Sequence, residues 1–148
     1  MYRVKDILAL KGADIYHVTP DAPTIDALRL LDEKDVGALL VIEAGKLVGI
    51  ISERDIVRSI AHSGQLYLYT PVSEYMTREV ITAQPDDTVD QCMQIMSESR
   101  IRHLPVMTAG GALVGVISIG DVMKQFISHQ ESTITSLENY IEGRDYMR

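Results

Sequence analysis

The sequence has one cysteine, Cys92, in 148 residues. That excludes an intrachain disulfide and suits a reducing compartment, so the cytoplasm is the expected location. Surplus positive charge is also lacking: 14 Lys and Arg stand against 21 Asp and Glu, a formal net charge of −7. A protein dominated by contacts to a phosphate backbone needs the opposite balance, so no nucleic-acid partner is expected. A small anionic ligand stays compatible, because a few local basic residues override the global field. No apolar run approaches the roughly 18 residues of a membrane span, so no membrane partner is expected. The stretch Met1 to Gly12 is mixed and charged, unlike a signal peptide. No paired carboxylates, Cys/His ligand spacing or Ser-His-Asp arrangement can be assembled, so neither an enzyme nor a metal site is expected.

What is present is a soluble globular composition, 46% hydrophobic and 24% charged, with a strong internal repeat. The run from Gly45 to Asp55, GKLVGIISERD, returns from Gly111 to Asp121 as GALVGVISIGD. Upstream, Pro20 to Ile25 parallels Pro85 to Val89 with one residue inserted, and Leu40 to Ile42 parallels Leu104 to Val106. The second copy carries two extra residues between Val106 and Gly111, which belong in a hairpin turn because turns tolerate insertion.

Each copy reads as β-α-β-β-α. A short extended segment, Ile15 to Val18 or Val80 to Thr82, leads to a Pro/Asp turn. Thr24 or Thr88 follows as a helix N-cap. Ile25, Leu28 and Leu31 share one face of the first helix; Val89, Cys92, Ile95 and Met96 share one face of its counterpart. Two apolar strands come next, Ala38 to Ile42 with Leu47 to Ile51, or His103 to Met107 with Leu113 to Ile117. Ser52 and Ser118 end these strands, and helices start near Asp55 and Asp121. A small three-stranded sheet does not cover itself, so face-to-face pairing of the copies is expected. The linker 61–77 holds the loop signals Ser63-Gly64 and Thr70-Pro71, with Tyr67, Leu68 and Tyr69 suggesting that part of it packs. After Asp121 the pattern is helical to the end, and Ile134, Leu137, Tyr140 and Ile141 form an apolar stripe that folds back or meets another subunit.

The two G-x-L-V-G-[IV]-I-S-x-x-D segments, with Ile101 to Val106 (IRHLPV), resemble the CBS-domain pair, or Bateman module, over about residues 10–128. The resemblance implies an α/β (α+β) fold of two CBS repeats packed as a pseudo-twofold sandwich, flanked by N- and C-terminal helices. Motif 1 spans 10–62, a linker 63–77, motif 2 78–128 and a C-terminal helix 129–148. It further implies a free-standing, bacterial-type regulatory module that senses energy state or transduces signals. Its clefts hold an adenine nucleotide, AMP first, with ADP, ATP, NAD or S-adenosylmethionine as alternatives. A homodimer and a regulated partner protein are also implied.

A carboxylate fixed at a helix N-terminus is suited to a ribose diol, and Asp55 and Asp121 are the candidates. Ser52 and Ser118 place a hydroxyl and backbone N–H groups where a phosphate can sit. Arg54 is placed to fork onto a phosphate, whereas the second copy has Gly120. By resemblance Arg102 and His103 face the phosphates, matching Ala38 and Leu39 of the first copy, while the small Gly37 and Ala38 admit an adenine ring. One implied site joins Ser52, Arg54 and Asp55 with Thr82, Arg102 and His103. The other joins Ser118, Asp121 and Arg102 with Thr19, Gly37 and Ala38. His17 aligns with Thr82 and departs from the small hydroxyl residue common there. Against these assignments, Asp55 and Asp121 also fit plain helix caps, and Arg54 a solvated surface. The alternative to a sensor is a partner-binding scaffold with vestigial clefts.

Overall fold

The structure, a computed structural model, describes residues 2–141. The elements run α1 (Val4–Lys11), β1 (His17–Val18), α2 (Thr24–Lys34), β2 (Ala38–Glu43), β3 (Lys46–Ser52), α3 (Glu53–Ser63), a 3-10 turn (Val72–Glu74), α4 (Val89–Ser99), β4 (His103–Met107), β5 (Leu113–Ser118) and α5 (Ile119–Ile141). This is a mixed α/β fold with two copies of one helix–hairpin–helix unit and flanking helices. The chain divides into two compact units: Asp14–Thr82, and the residues on either side of that stretch.

In the unit 14–82, β2 and β3 form an antiparallel hairpin and β1 adds in parallel to β2. Leu39, Val41 and Ile51 point from the sheet into a core shared with Ala27 and Leu31 of α2 and Ile56 of α3. The expected linker is part of this core. Val72 is fully buried, and its amide donates to the Ala22 carbonyl at 2.8 Å. Packing therefore comes through Val72 and, of the three expected residues, only through the half-buried Leu68, whose carbonyl accepts from the Ile25 amide at 2.8 Å; Tyr67 and Tyr69 are 49% and 82% exposed. A neighbouring bond to the same segment takes Thr24 from its expected role as N-cap. Pro23 holds that position, and the buried Thr24 hydroxyl donates instead to the Thr70 carbonyl at 2.6 Å.

In the other unit, β4 and β5 pair antiparallel beneath α4 and the start of α5. Val4 and Ile7 of α1 complete its core, together with Val89, Cys92, Met96, Leu104, Val106, Ile117 and Val122. Thr88 caps α4 as expected, its Oγ accepting from Gln91 N at 3.1 Å. The hairpin turn of this copy is longer by one residue, not the expected two, since His103 pairs with Ser118 where Ala38 pairs with Ser52, and in it the Thr108 amide reaches the Ala112 carbonyl at 2.8 Å. The helix that opens at Ile119 continues without a break to Ile141, through the expected boundary at residue 128. The remainder of the expected C-terminal helix, 142–148, lies outside the described residues.

Two expectations about register need correction. Ser52 lies opposite Ala38 and Ser118 opposite His103, so Arg102 and His103 match Gly37 and Ala38, one residue earlier than the sequence alignment gives. Leu40 then corresponds to Pro105. This explains why the expected strand Val80 to Thr82 is absent. The Leu40 amide donates to the Tyr16 carbonyl at 3.1 Å, whereas Pro105 has no amide proton to give. Only Ala83 bridges β4, donating to the Pro105 carbonyl at 2.9 Å and accepting from the Met107 amide at 2.8 Å.

Cys92 is fully buried, and desolvation, helped by the Asp87 charge, pushes its thiol up to about 11. The thiolate is the reactive form. Iodoacetamide at pH 8 is therefore expected to leave the native protein unlabelled and to modify Cys92 at the rate at which this core opens. Rapid stoichiometric labelling without denaturant would contradict this placement.

Candidate functional site

The repeated serine and aspartate occupy the same local structure in both copies. Each serine ends a strand in extended conformation and caps the helix that follows. Ser52 Oγ accepts from the Asp55 amide at 3.2 Å, while Asp55 Oδ2 accepts from the Ser52 amide at 3.0 Å and its hydroxyl at 2.9 Å. In the second copy, Ser118 Oγ accepts from the Asp121 amide at 3.2 Å and Asp121 Oδ2 from the Ser118 amide at 2.8 Å. The serine is thus the cap, and the aspartate closes the reciprocal bond one turn on. Both roles follow from the spacing S-x-x-D after an apolar strand. The arrangement holds each carboxylate by one backbone N–H, that of the serine.

The helix starts spend more of their amides internally than a phosphate cradle would. The Glu53 amide donates to the Gly37 carbonyl at 3.0 Å, and the Ile119 amide to the Arg102 carbonyl at 2.8 Å. These bonds also draw the candidate residues into two groups, one per unit. Gly37 and Ala38, both half-buried, stand beside Ser52, Arg54 and Asp55. Arg102, exposed, and His103, half-buried, stand beside Ser118 and Asp121. His17 lies on β1 opposite Leu40, and Thr19 follows in the turn; both are exposed. Thr82 is exposed, just before the bridging Ala83.

Charge differs between the groups. Burial of the His103 imidazole pulls its pKa below the usual histidine range; the nearby Asp121 carboxylate opposes this, and Lys11 and Arg102 reinforce it. The lowered pKa favours the neutral ring, and the cationic charge beside it belongs to Arg102 and Lys11. Burial pushes the Asp121 carboxyl up, but hydrogen bonds from Lys11 and Ser118 and the Lys11 charge outweigh it and hold the group below its ordinary value.

Lys11 is one of two contacts that the repeat did not disclose. Its Nζ donates to Asp121 Oδ2 at 2.7 Å and to the Val116 carbonyl at 2.9 Å. At the other carboxylate, the Thr77 hydroxyl approaches Asp55 Oδ1 at 3.4 Å. Both come from segments outside the duplicated run, 110 and 22 residues from their partners. No local pattern signals either. Among the described residues, no group of His, Cys, Asp and Glu is placed to hold a metal ion. Nor is any described helix long and apolar enough to cross a membrane.

Two helix–hairpin–helix copies, each with a Ser/Asp cap at the strand-to-helix turn, define a duplicated α/β module. The chain belongs to the CBS-domain family, whose model matches residues 4–62 and 72–128. It is similar to a putative signal-transduction protein with CBS domains from Burkholderia ambifaria, at 42% identity and TM-score 0.82 over 87% of this chain and 96% of that one. It is also similar to a CBS domain protein of Pyrobaculum aerophilum complexed with AMP, at 28% identity and TM-score 0.71 over 81% and 89%. A third relative is the CBS domain pair of protein MJ0100, in complex with 5-methylthioadenosine and S-adenosyl-L-methionine. That pair shares 29% identity and TM-score 0.76 over 87% and 98%.

Proposed function

We propose that this protein is a regulatory module that binds an adenine nucleotide, AMP first, through its Ser/Asp motifs. One observation carries this: a carboxylate fixed by the serine's backbone amide, with the serine hydroxyl capping the helix beside it, is built twice at equivalent strand-to-helix turns. The ligands of the two related complexes, AMP and the pair methylthioadenosine and S-adenosylmethionine, share adenosine, and hence a ribose diol. Asp55 and Asp121 take that diol. Ser52, Ser118, Arg54, Arg102 and the neutral His103 serve the phosphate. Gly37 and Ala38 leave room for the base, which His17, Thr19 and Thr82 flank. The protein acts in the cytoplasm, as a binder and not as a catalyst.

The output runs along α5. Asp121 sits in the first turn of this helix, whose far end exposes Ile134, Leu137, Tyr140 and Ile141 at 53%, 57%, 57% and 82%. A ligand that moves the first turn shifts the helix as a rod, and a partner or second copy seated on the stripe senses the shift. Calorimetric titration with AMP, ATP, NADH and S-adenosylmethionine tests the proposal. AMP is expected to give saturable heat. Absence of heat from all four, with protein at about 100 μM or above to capture weak sites, would refute it.

The exposed stripe also favours a second reading, a partner-binding scaffold whose nucleotide motifs are idle. Asp55→Ala with Asp121→Ala would then leave partner binding unchanged, whereas the sensor reading requires the nucleotide to stop affecting it.

A further inference from the structure

The two carboxylates are guarded by equivalent but chemically different segments. Each repeat has a glycine on its last strand where a neighbouring segment presses close. A Cβ on Gly49 would lie 2.6 Å from Met76 Sδ, and one on Gly115 would lie 2.7 Å from Leu8 Cδ2. The segment against Gly49 runs on to Thr77, which sends a neutral hydroxyl to Asp55 at 3.4 Å, the outer limit of a hydrogen bond. The segment against Gly115 is α1, which runs on to Lys11 and sends an ammonium to Asp121 at 2.7 Å. The ammonium is anchored a second time, on the Val116 carbonyl at 2.9 Å. Helix α1 itself is fixed by the buried Val4 and Ile7 and by the Val4 amide on the Asp87 carbonyl at 2.9 Å.

Resting on the nucleotide function proposed above, we infer that α1 latches the second Ser/Asp motif through Lys11, leaving the Asp55 motif as the one that takes ligand at low concentration. A vicinal diol needs both oxygens of its carboxylate. At Asp121, Oδ2 already carries the Lys11 ammonium and the Ser118 amide, and a diol must displace the ammonium or share its oxygen. At Asp55, Oδ2 carries the Ser52 amide and hydroxyl and Oδ1 only the Thr77 hydroxyl at the limit of bonding distance, all neutral donors; a ligand hydroxyl replaces a neutral hydroxyl at less cost than it displaces an ammonium. The duplicated halves are therefore unequal binders, and the inequality originates in α1, which lies outside the repeated run.

The test is calorimetric titration of AMP into wild type, Lys11→Met, Lys11→Arg and Asp55→Ala. Methionine keeps an aliphatic stem over β5 and removes the charge. Wild type is expected to take one equivalent per chain, and Asp55→Ala to weaken it at least tenfold. Lys11→Met is expected to take two equivalents, and Lys11→Arg to return to one. Should Lys11→Met lose its helical circular dichroism, Lys11→Gln gives the same readout. Two equal equivalents in wild type, or a single equivalent persisting without Lys11, overturns the latch while the nucleotide function stands. No heat from any variant overturns both.

Discussion

Gly49→Val is expected to destabilise the protein by about 3 kcal/mol, and Gly115→Val by about 1 kcal/mol, the two ends of the usual range for overpacking. Both glycines are buried on the last strand of their repeats, at the same place in the repeated run. Their neighbours differ. At Gly115 the three nearest atoms all belong to the Leu8 side chain, which rotates aside. At Gly49 the added carbon meets Met76 Sδ and also stands 3.0 Å from the Thr77 carbonyl oxygen. That oxygen accepts from the Ile50 amide at 3.0 Å, and the Thr77 amide returns a bond to the Ile50 carbonyl at 2.8 Å. Relief therefore requires breaking a two-bond bridge and moving Thr77 off Asp55. Chemical denaturation of the two variants measures the difference, and equal losses would mean that the bridge gives way freely. Leu8→Ala should rescue Gly115→Val, whereas Met76→Ala should rescue Gly49→Val only in part.

Which parts of this architecture were legible in the sequence follows from how far apart the cooperating residues are. The hairpins and the serine caps are local devices, written in runs of about ten residues. GKLVGIISERD and GALVGVISIGD therefore disclose them directly. That the second hairpin turn is the longer one was legible for the same reason, although the one-residue register shift makes the excess one residue and not two. Thr24 misled because its competitor is distant: the Thr70 carbonyl takes a hydroxyl that local rules assign to the helix start. The alignment of Leu40 with Leu104 misled because both strands are apolar throughout, and one residue of slippage leaves the pattern intact. Hydrogen bonds fix the register, and they put Pro105 where Leu40 stands, which removes a strand. Lys11 was illegible for a different reason. Nothing in α1 marks it as belonging to a carboxylate 110 residues away, and the Ser118–Asp121 cap is closed without it.

Asp55→Ala is expected to weaken AMP binding by roughly 10- to 100-fold, since losing charge-assisted bonds to a diol removes about 1.5–3 kcal/mol and each 1.4 kcal/mol is tenfold. The same substitution removes half of a capping box and costs about 1 kcal/mol of stability. The two losses have to be separated, because a weakened helix start by itself lowers affinity. Asp55→Asn separates them. An amide oxygen still accepts from the Ser52 amide, which Asp55 Oδ2 holds at 3.0 Å, so the cap survives. Its nitrogen cannot accept from a ribose hydroxyl, so the bidentate grip on the diol is lost. Stability near wild type with affinity down at least tenfold is therefore expected of Asp55→Asn. At AMP concentrations that fill only the Asp55 motif, Asp121→Asn is expected to do the reverse, because there its carboxylate is still bonded to Lys11. Little AMP affinity is lost there, while the partly exposed ion pair forfeits about 1 kcal/mol or less of stability. If Asp55→Asn bound AMP as tightly as wild type, the carboxylate would be a cap and nothing more, and the ribose would have to be held elsewhere.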